Sequence, residues 1–195
     1  MSAALFRSLF LEEFKTRAAQ TPSFGQFWHA GGPPWTHIMV HSEDRSSVLE
    51  RTLQRWADST LGADQISMRH WYTIDLMAVT PPHRDVEYWD TRPVALIEHE
   101  NRKDIETELW KLAHWRAPLK VLVFYRFGES WLDAKFETAR RIIESAQITC
   151  PEDGAEYLLL AGCNIDAHVS WREQSWRCGD DWRTATHETG VHVGA

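Results

Sequence analysis

The run Leu119-Lys-Val-Leu-Val-Phe-Tyr125 limits the possible folds more than any other stretch of the chain. With one polar member and a high β-branched and aromatic content, it suits a strand buried on both faces, and such strands belong to sheets covered by helices on each side. Immediately before it, Asp104 to Trp115 carries Ile105, Leu109 and Leu112 on one stripe. Glu108 there is spaced to pair with Lys111, and Pro118 lies beyond the end, so the spacing predicts a helix. Earlier still, Pro93-Val-Ala-Leu-Ile-Glu-His-Glu100 reads as a strand that is apolar until carboxylates appear at its C-terminal end. A helix of that length between two strands permits parallel pairing and, with a right-handed connection, packs on one face of the sheet.

The rest of the chain fits around this unit. Leu5, Phe6, Leu9, Phe10 and Phe14 have helical spacing within Ser2 to Ala19. The Pro/Gly-rich stretch from Thr21 to Pro34 cannot continue that helix and reads as a loop or arm. A second helix is expected from Ser42 or Ser47 to Ser59, with Val48, Leu49, Leu53 and Trp56 on one stripe and Gly62 able to end it. Met68 to Thr80 alternates as one long strand, and Pro81 to Arg92 as a polar turn region makes its pairing with Pro93 to Glu100 hairpin-like. A helix over Trp131 to Ser145, a strand over Tyr157 to Ile165 and an edge strand over His168 to Trp176 complete an α/β fold, a mixed sheet between helices. At 195 residues one domain is the expectation: residues 1–41 as N-terminal helix and arm, 42–126 as core, and 127–195 as C-terminal helix and strands.

Composition excludes several functions. A formal charge of -7 argues against coating nucleic acid by bulk electrostatics, leaving local patches to consider: Lys135, Arg140 and Arg141 on one helix, and Arg172, Arg177 and Arg183 near the C-terminus. Each has the competing reading of a solvated helix or strand face. The first helix carries Arg7, Glu12 and Glu13, which suits neither a signal peptide nor a membrane span, so no membrane association and a cytoplasmic location are expected. Cys150, Cys163 and Cys178 form no C-x-x-C pair and read as reduced structural thiols. Phosphate-binding glycine loops, the G-x-S-x-G elbow and the H-E-x-x-H helix are all missing.

Chemistry concentrates on the carboxylates of the middle third. Asp75 lies inside an apolar strand, and Glu98 and Glu100, two apart, share a face of the next. Like charges gathered in a partly buried place repel or take up protons unless a cation offsets them. Were Asp75 to pair across from Glu98, the cluster would suit Mg²⁺, a hard ion that prefers oxygen ligands. The opposing reading is an ordinary strand end with solvated carboxylates.

The order Asp75, a long hairpin, Glu98-His99-Glu100, a helix, then Leu119 to Tyr125 resembles the PD-(D/E)XK superfamily of restriction-endonuclease-like proteins over about residues 42 to 126. The resemblance implies a restriction-endonuclease-like mixed β-sheet flanked by helices, and a bacterial-type, Mg- or Mn-dependent DNA endonuclease. Asp75 and Glu98 would be ligands, the backbone carbonyl of His99 a further ligand, and Glu100 would stand in the place of the usual lysine, orienting or deprotonating the attacking water. Lys103 and Lys111 are candidates for a lysine moved to another element. The first core helix of the superfamily often adds an acid, for which Glu43 and Glu50 qualify. Glu50 also has the spacing of a capping box with Ser47, and Glu43 that of a first-turn acid favoured by the helix dipole. The acidic balance implies that DNA targeting comes from a homodimer or a partner subunit. The rival reading is a nuclease-like scaffold that has lost catalysis and serves binding or assembly.

The tryptophans are the last group to place. Trp28, Trp35, Trp89 and Trp182 fall in expected loops, available either to stack on a splayed base or to pack on the core, whereas Trp56, Trp71, Trp110 and Trp115 fall on regular elements as core.

Overall fold

The computed structural model describes residues 2–40, 42, 44, 46–62, 67–71, 74–80, 92–101, 104–125, 129–149, 154–177 and 179–193. Its helices are α1 (Ala3–Gln20), α2 (Phe24–Ala30), α3 (Pro33–Met39), α4 (Val48–Leu61), α5 (Glu106–His114) and α6 (Glu129–Thr149). Its strands are β1 (Ser67–Trp71), β2 (Ile74–Thr80), β3 (Arg92–Glu100), β4 (Leu119–Tyr125), β5 (Glu156–Ile165), β6 (His168–Arg177) and β7 (Arg183–His192). They form one sheet in sequence order, with β3, β4 and β5 mutually parallel and every other neighbouring pair antiparallel.

Why β4 sits in the middle follows from its composition. All seven of its residues are buried, its odd members packing under α1 to α4 and its even members under α5 and α6. The helix expected between β3 and β4 is α5, and the pair is parallel as that crossover requires.

Four expectations need correction. The stretch from Thr21 to Pro34 is not a bare arm: α2 fills much of it and α3 starts at its end. Gly31 and Gly32, at φ 60° and 76°, let the chain break and restart. Pro33 and Pro34 then open α3, where a missing N–H costs nothing. Trp28 and Trp35 are buried there, their rings 5.3 Å apart.

Second, the long strand from Met68 to Thr80 is two strands, β1 and β2, which pair antiparallel with Trp71 opposite Ile74. Third, β6 is not at the edge, because β7 pairs along it. Fourth, Trp110 is 57% exposed rather than core.

The face under α1 is packed with aromatic rings. Phe6, Phe10 and Phe14, four apart, share one side of α1 and are fully buried. Phe10 and Phe14 meet Trp171 edge-on at 4.8 and 5.2 Å. Gly162 on β5 makes room for these rings: a Cβ there would lie 2.8 Å from Trp28 and 3.0 Å from Trp171. Replacing one of the buried rings by alanine costs roughly 3–5 kcal/mol.

Candidate functional site

Strands β2 and β3 and helices α3 and α5 build a cleft at the C-terminal end of β3. Asp75 is the second residue of β2, and the register that sets Leu76 opposite Ile97 continues to set Asp75 opposite Glu98. Opposed residues on antiparallel neighbours share a face, so both carboxyls lie on the side that α5 covers. Asp75 Oδ2 accepts a hydrogen bond from the His99 backbone N–H at 2.9 Å. The contact between these two residues therefore runs through the amide hydrogen of His99, whereas the resemblance assigned a role to its carbonyl.

Lys111, from the middle of α5, brings its ammonium 2.8 Å from Glu98 Oε1 and also pairs with Glu108 one turn before it. The helix-face pair inferred from spacing is thus present, and a tertiary partner is added to it. That ammonium is the ion-pair partner of Glu98 Oε1, and Oε2 of this buried carboxyl has no hydrogen-bond partner among the described residues. An unsatisfied buried carboxyl is costly in its charged form. Burial, reinforced by the charges of Asp75 and Glu108 and only partly opposed by Lys111, pushes the Glu98 carboxyl up to about 9. Lys111 also moves upward: burial disfavours its charge, but Glu108 and Glu98 outweigh that. At neutral pH Glu98 therefore holds a proton while Lys111 stays charged.

Asp75, Glu100, Lys111, His99, Asn101 and Thr36 line an open cleft of ≈ 230 Å³. Glu100 follows Glu98 on the same face, and the His99 ring lies on the opposite face, 5.2 Å from Tyr125. The inclusion of Thr36, Asn101 and Glu108 was not foreseen, although Glu108 could have been found from its spacing to Lys111.

Glu50 is placed elsewhere. It forms the capping box with Ser47 at the start of α4, and its Oε2 accepts a further hydrogen bond from the Ser42 hydroxyl at 3.0 Å. Glu43, Lys103, Trp89, Cys150 and Cys178 lie outside the described residues, and Cys163 is a buried free thiol.

Most of the basic candidates are tied to neighbours. Lys135 pairs with Glu106 at 2.7 Å, Arg172 with Asp133 at 2.6 Å, and Arg183 comes within 3.9 Å of Asp180. Arg140 donates to Gln174 and lies over the Trp182 ring, and Arg141 donates to Thr138. Arg177 and Arg183 sit at the other end of the sheet from the cleft, beside the start of β5.

Among the described residues no group of three or more His, Cys, Asp or Glu side chains is arranged to hold an ion. What this end of the sheet does provide is two adjacent carboxyls: Asp75, which lines the cleft and is fixed by a backbone N–H, and Glu98, fully buried next to it with Lys111 as its ion-pair partner. The carboxyls that line the cleft itself, those of Asp75, Glu100 and Glu108, are oxygen donors of the kind a hard divalent cation takes. No helix among the described residues is long and apolar enough to cross a membrane.

No family model matches the sequence, and no curated protein matches it. Among solved structures, the central domain of yeast acetyl-CoA carboxylase is similar at 8% identity and a TM-score of 0.37, over 77% of this chain and 26% of that one. The chain thus spans about a quarter of that protein's length, and a likeness so remote carries no argument about fold or activity.

Proposed function

We propose that the protein is a divalent-metal-dependent phosphodiesterase of PD-(D/E)XK type, a DNA endonuclease built on a restriction-endonuclease-like sheet. The observation that carries this reading is the juxtaposition of Asp75 and Glu98 across β2 and β3, with the Lys111 ammonium 2.8 Å from Glu98. The division of the expected long strand adds support, because it puts Asp75 near the start of a second strand, where the resemblance would have it.

Asp75 and Glu98 would hold Mg²⁺ or Mn²⁺, which when bound supplies positive charge to the scissile phosphate and acidifies a water. The chain's own groups do the rest. The His99 N–H fixes the rotamer of Asp75. Glu98 would give up its proton on taking a cation as ligand. Lys111, in the part the superfamily's lysine plays, presents an ammonium toward a phosphate oxygen. Glu100, lining the cleft, accepts the proton of the attacking water. With the arginines largely engaged, a homodimer or a partner subunit supplies the hold on DNA.

A second reading has an observation of its own. A two-carboxyl site whose glutamate is neutral at pH 7 also suits a scaffold that has given up hydrolysis and serves assembly. The test is cleavage of end-labelled duplex and single-stranded DNA with Mg²⁺ or Mn²⁺, beside an EDTA control, Asp75→Asn and Glu98→Gln. The nuclease reading expects 5′-phosphate products and a rate lower by about a hundredfold or more in either variant. Folded protein that cuts neither substrate, or variants that cut as fast as the parent, would move the assignment to the scaffold.

A further inference from the structure

At the same end of the sheet as the cleft, but across its width, two histidines face each other. His168 opens β6 and His192 closes β7, and they are direct cross-strand partners. Their ring centroids are 5.1 Å apart and their planes inclined at 64°. Both side chains are exposed.

The backbone around this pair is fixed on both sides. Asp166 and Ala167, at φ 48° and 61°, make the tight two-residue turn that leads into β6. The Val193 N–H donates to the Ala167 carbonyl at 2.8 Å, and the Val193 carbonyl in turn lies 2.7 Å from His29 Nε2. His168 Nδ1 lies 2.9 Å from the Asp166 carbonyl. A carbonyl only accepts, so Nδ1 carries the hydrogen, and in the neutral ring Nε2 is the nitrogen with the lone pair. That is the tautomer lock found behind most metal-binding histidines.

The spacing fits an ion as well. With metal–nitrogen bonds of about 2.0–2.1 Å and ring radii of roughly 1.2 Å, two imidazoles on tetrahedral corners have centroids roughly 5.2 Å apart. A simple edge-on contact between rings would account for the distance but not for the locked tautomer.

We propose that His168 and His192 form a transition-metal site separate from the carboxylate cleft, taking a borderline ion such as Zn²⁺. Imidazole nitrogen selects such an ion over Mg²⁺, which prefers oxygen, so the two sites sort two classes of metal. Two protein ligands leave the remaining positions to water or to an incoming acidic group. The bound ion would bridge β6 to the edge strand β7 and stabilise the fold by mass action.

The experiment is a Zn²⁺ titration of the full chain in excess Mg²⁺, read by calorimetry, by imidazole ¹⁵N resonances and by melting temperature. Parent protein, His168→Ala, His192→Ala and Glu98→Gln are compared. The expected result is one Zn²⁺ per chain at micromolar concentration, with both imidazoles shifting together and a higher melting temperature. Affinity should fall about tenfold or more in each histidine variant and stay unchanged in Glu98→Gln. Because both histidines are exposed, their alanine variants keep the fold. Zinc binding indifferent to both histidine variants, imidazole resonances that do not move, or no binding at micromolar zinc would overturn the assignment.

Discussion

Glu98 on β3 and Glu173 on β6 are both buried glutamates in strands of one sheet, at 0% and 5% exposure, and their surroundings treat them in opposite ways. Glu173 Oε2 accepts from Arg7 at 3.0 Å and lies 2.7 Å from His187 Nε2, tying α1 to β6 and β7. Burial pushes its carboxyl up, but His187 and Arg7 outweigh that and hold it below the ordinary range. Among the described residues Glu98 has one basic partner, Lys111, and two carboxylate neighbours, so burial wins and the proton stays on. A buried carboxylate given two basic partners is a structural tie. One with a single basic partner keeps its proton instead.

The largest expected consequence is in the pH dependence of stability. The folded-state value of Glu98, about 9, lies above its ordinary value of 4.5. Its contribution is therefore fully present below pH 4.5 and is lost as pH rises toward 9. The slope in that window is at most about 1.4 kcal/mol per pH unit. Denaturant melts from pH 5 to 9 should show stability falling, and Glu98→Gln, which cannot ionise, should flatten the curve. A parent protein with a flat profile would break the comparison on the Glu98 side.

Glu173 runs the other way. Its folded value is lowered, so its contribution is present above the ordinary carboxyl range and disappears as pH falls through the folded value. Glu173→Gln should cost about 1–3 kcal/mol at pH 7, less than a wholly buried pair because Arg7 and His187 are 27% and 21% exposed. It should also remove part of the loss of stability on the acid side, which acid-titrated circular dichroism would record.

The smallest effects sharpen the contrast between partners. Arg7→Met leaves Glu173 with His187 alone and should cost about 1–2 kcal/mol. Lys111→Met leaves a glutamic acid that was already neutral, so its cost at pH 7 should stay below about 1 kcal/mol. DNA cleavage, by contrast, should drop sharply in Lys111→Met and stay near the parent rate in Arg7→Met. Equal stability losses in the two variants would mean that Glu98 is ionised and paired after all.

How much of this could be read from the sequence varied with how local each cause is. The apolar run from Leu119 to Tyr125, the helix before it and the parallel crossover are local patterns, and they hold in the fold. Asp75 and Glu98 could be foreseen as neighbours because a hairpin-like pair sets opposed residues from a few flanking ones. The break between β1 and β2 could not, since Tyr72 and Thr73 carry no Gly, Pro or Asn to mark a reversal. β7 escaped because an edge strand reading Arg-Thr-Ala-Thr-His-Glu has no apolar face to announce it. Gly31-Gly-Pro-Pro34 reads as loop by composition, yet Trp28 and Trp35 on either side gain more by burial than an arm would give. Lys111 reads as half of a helix-face pair, and its approach to Glu98 depends on how α5 docks on β3.

The most direct measurement is Mn²⁺ binding, followed by the loss of its free-ion resonance signal, in the parent protein, Glu98→Gln and Asp75→Asn. The account predicts a site in the parent protein that Mg²⁺ displaces and that both variants lose while still folded. A parent protein that leaves the Mn²⁺ signal unchanged, or variants that bind as the parent does, would contradict the claim that Asp75 and Glu98 are arranged to hold a cation.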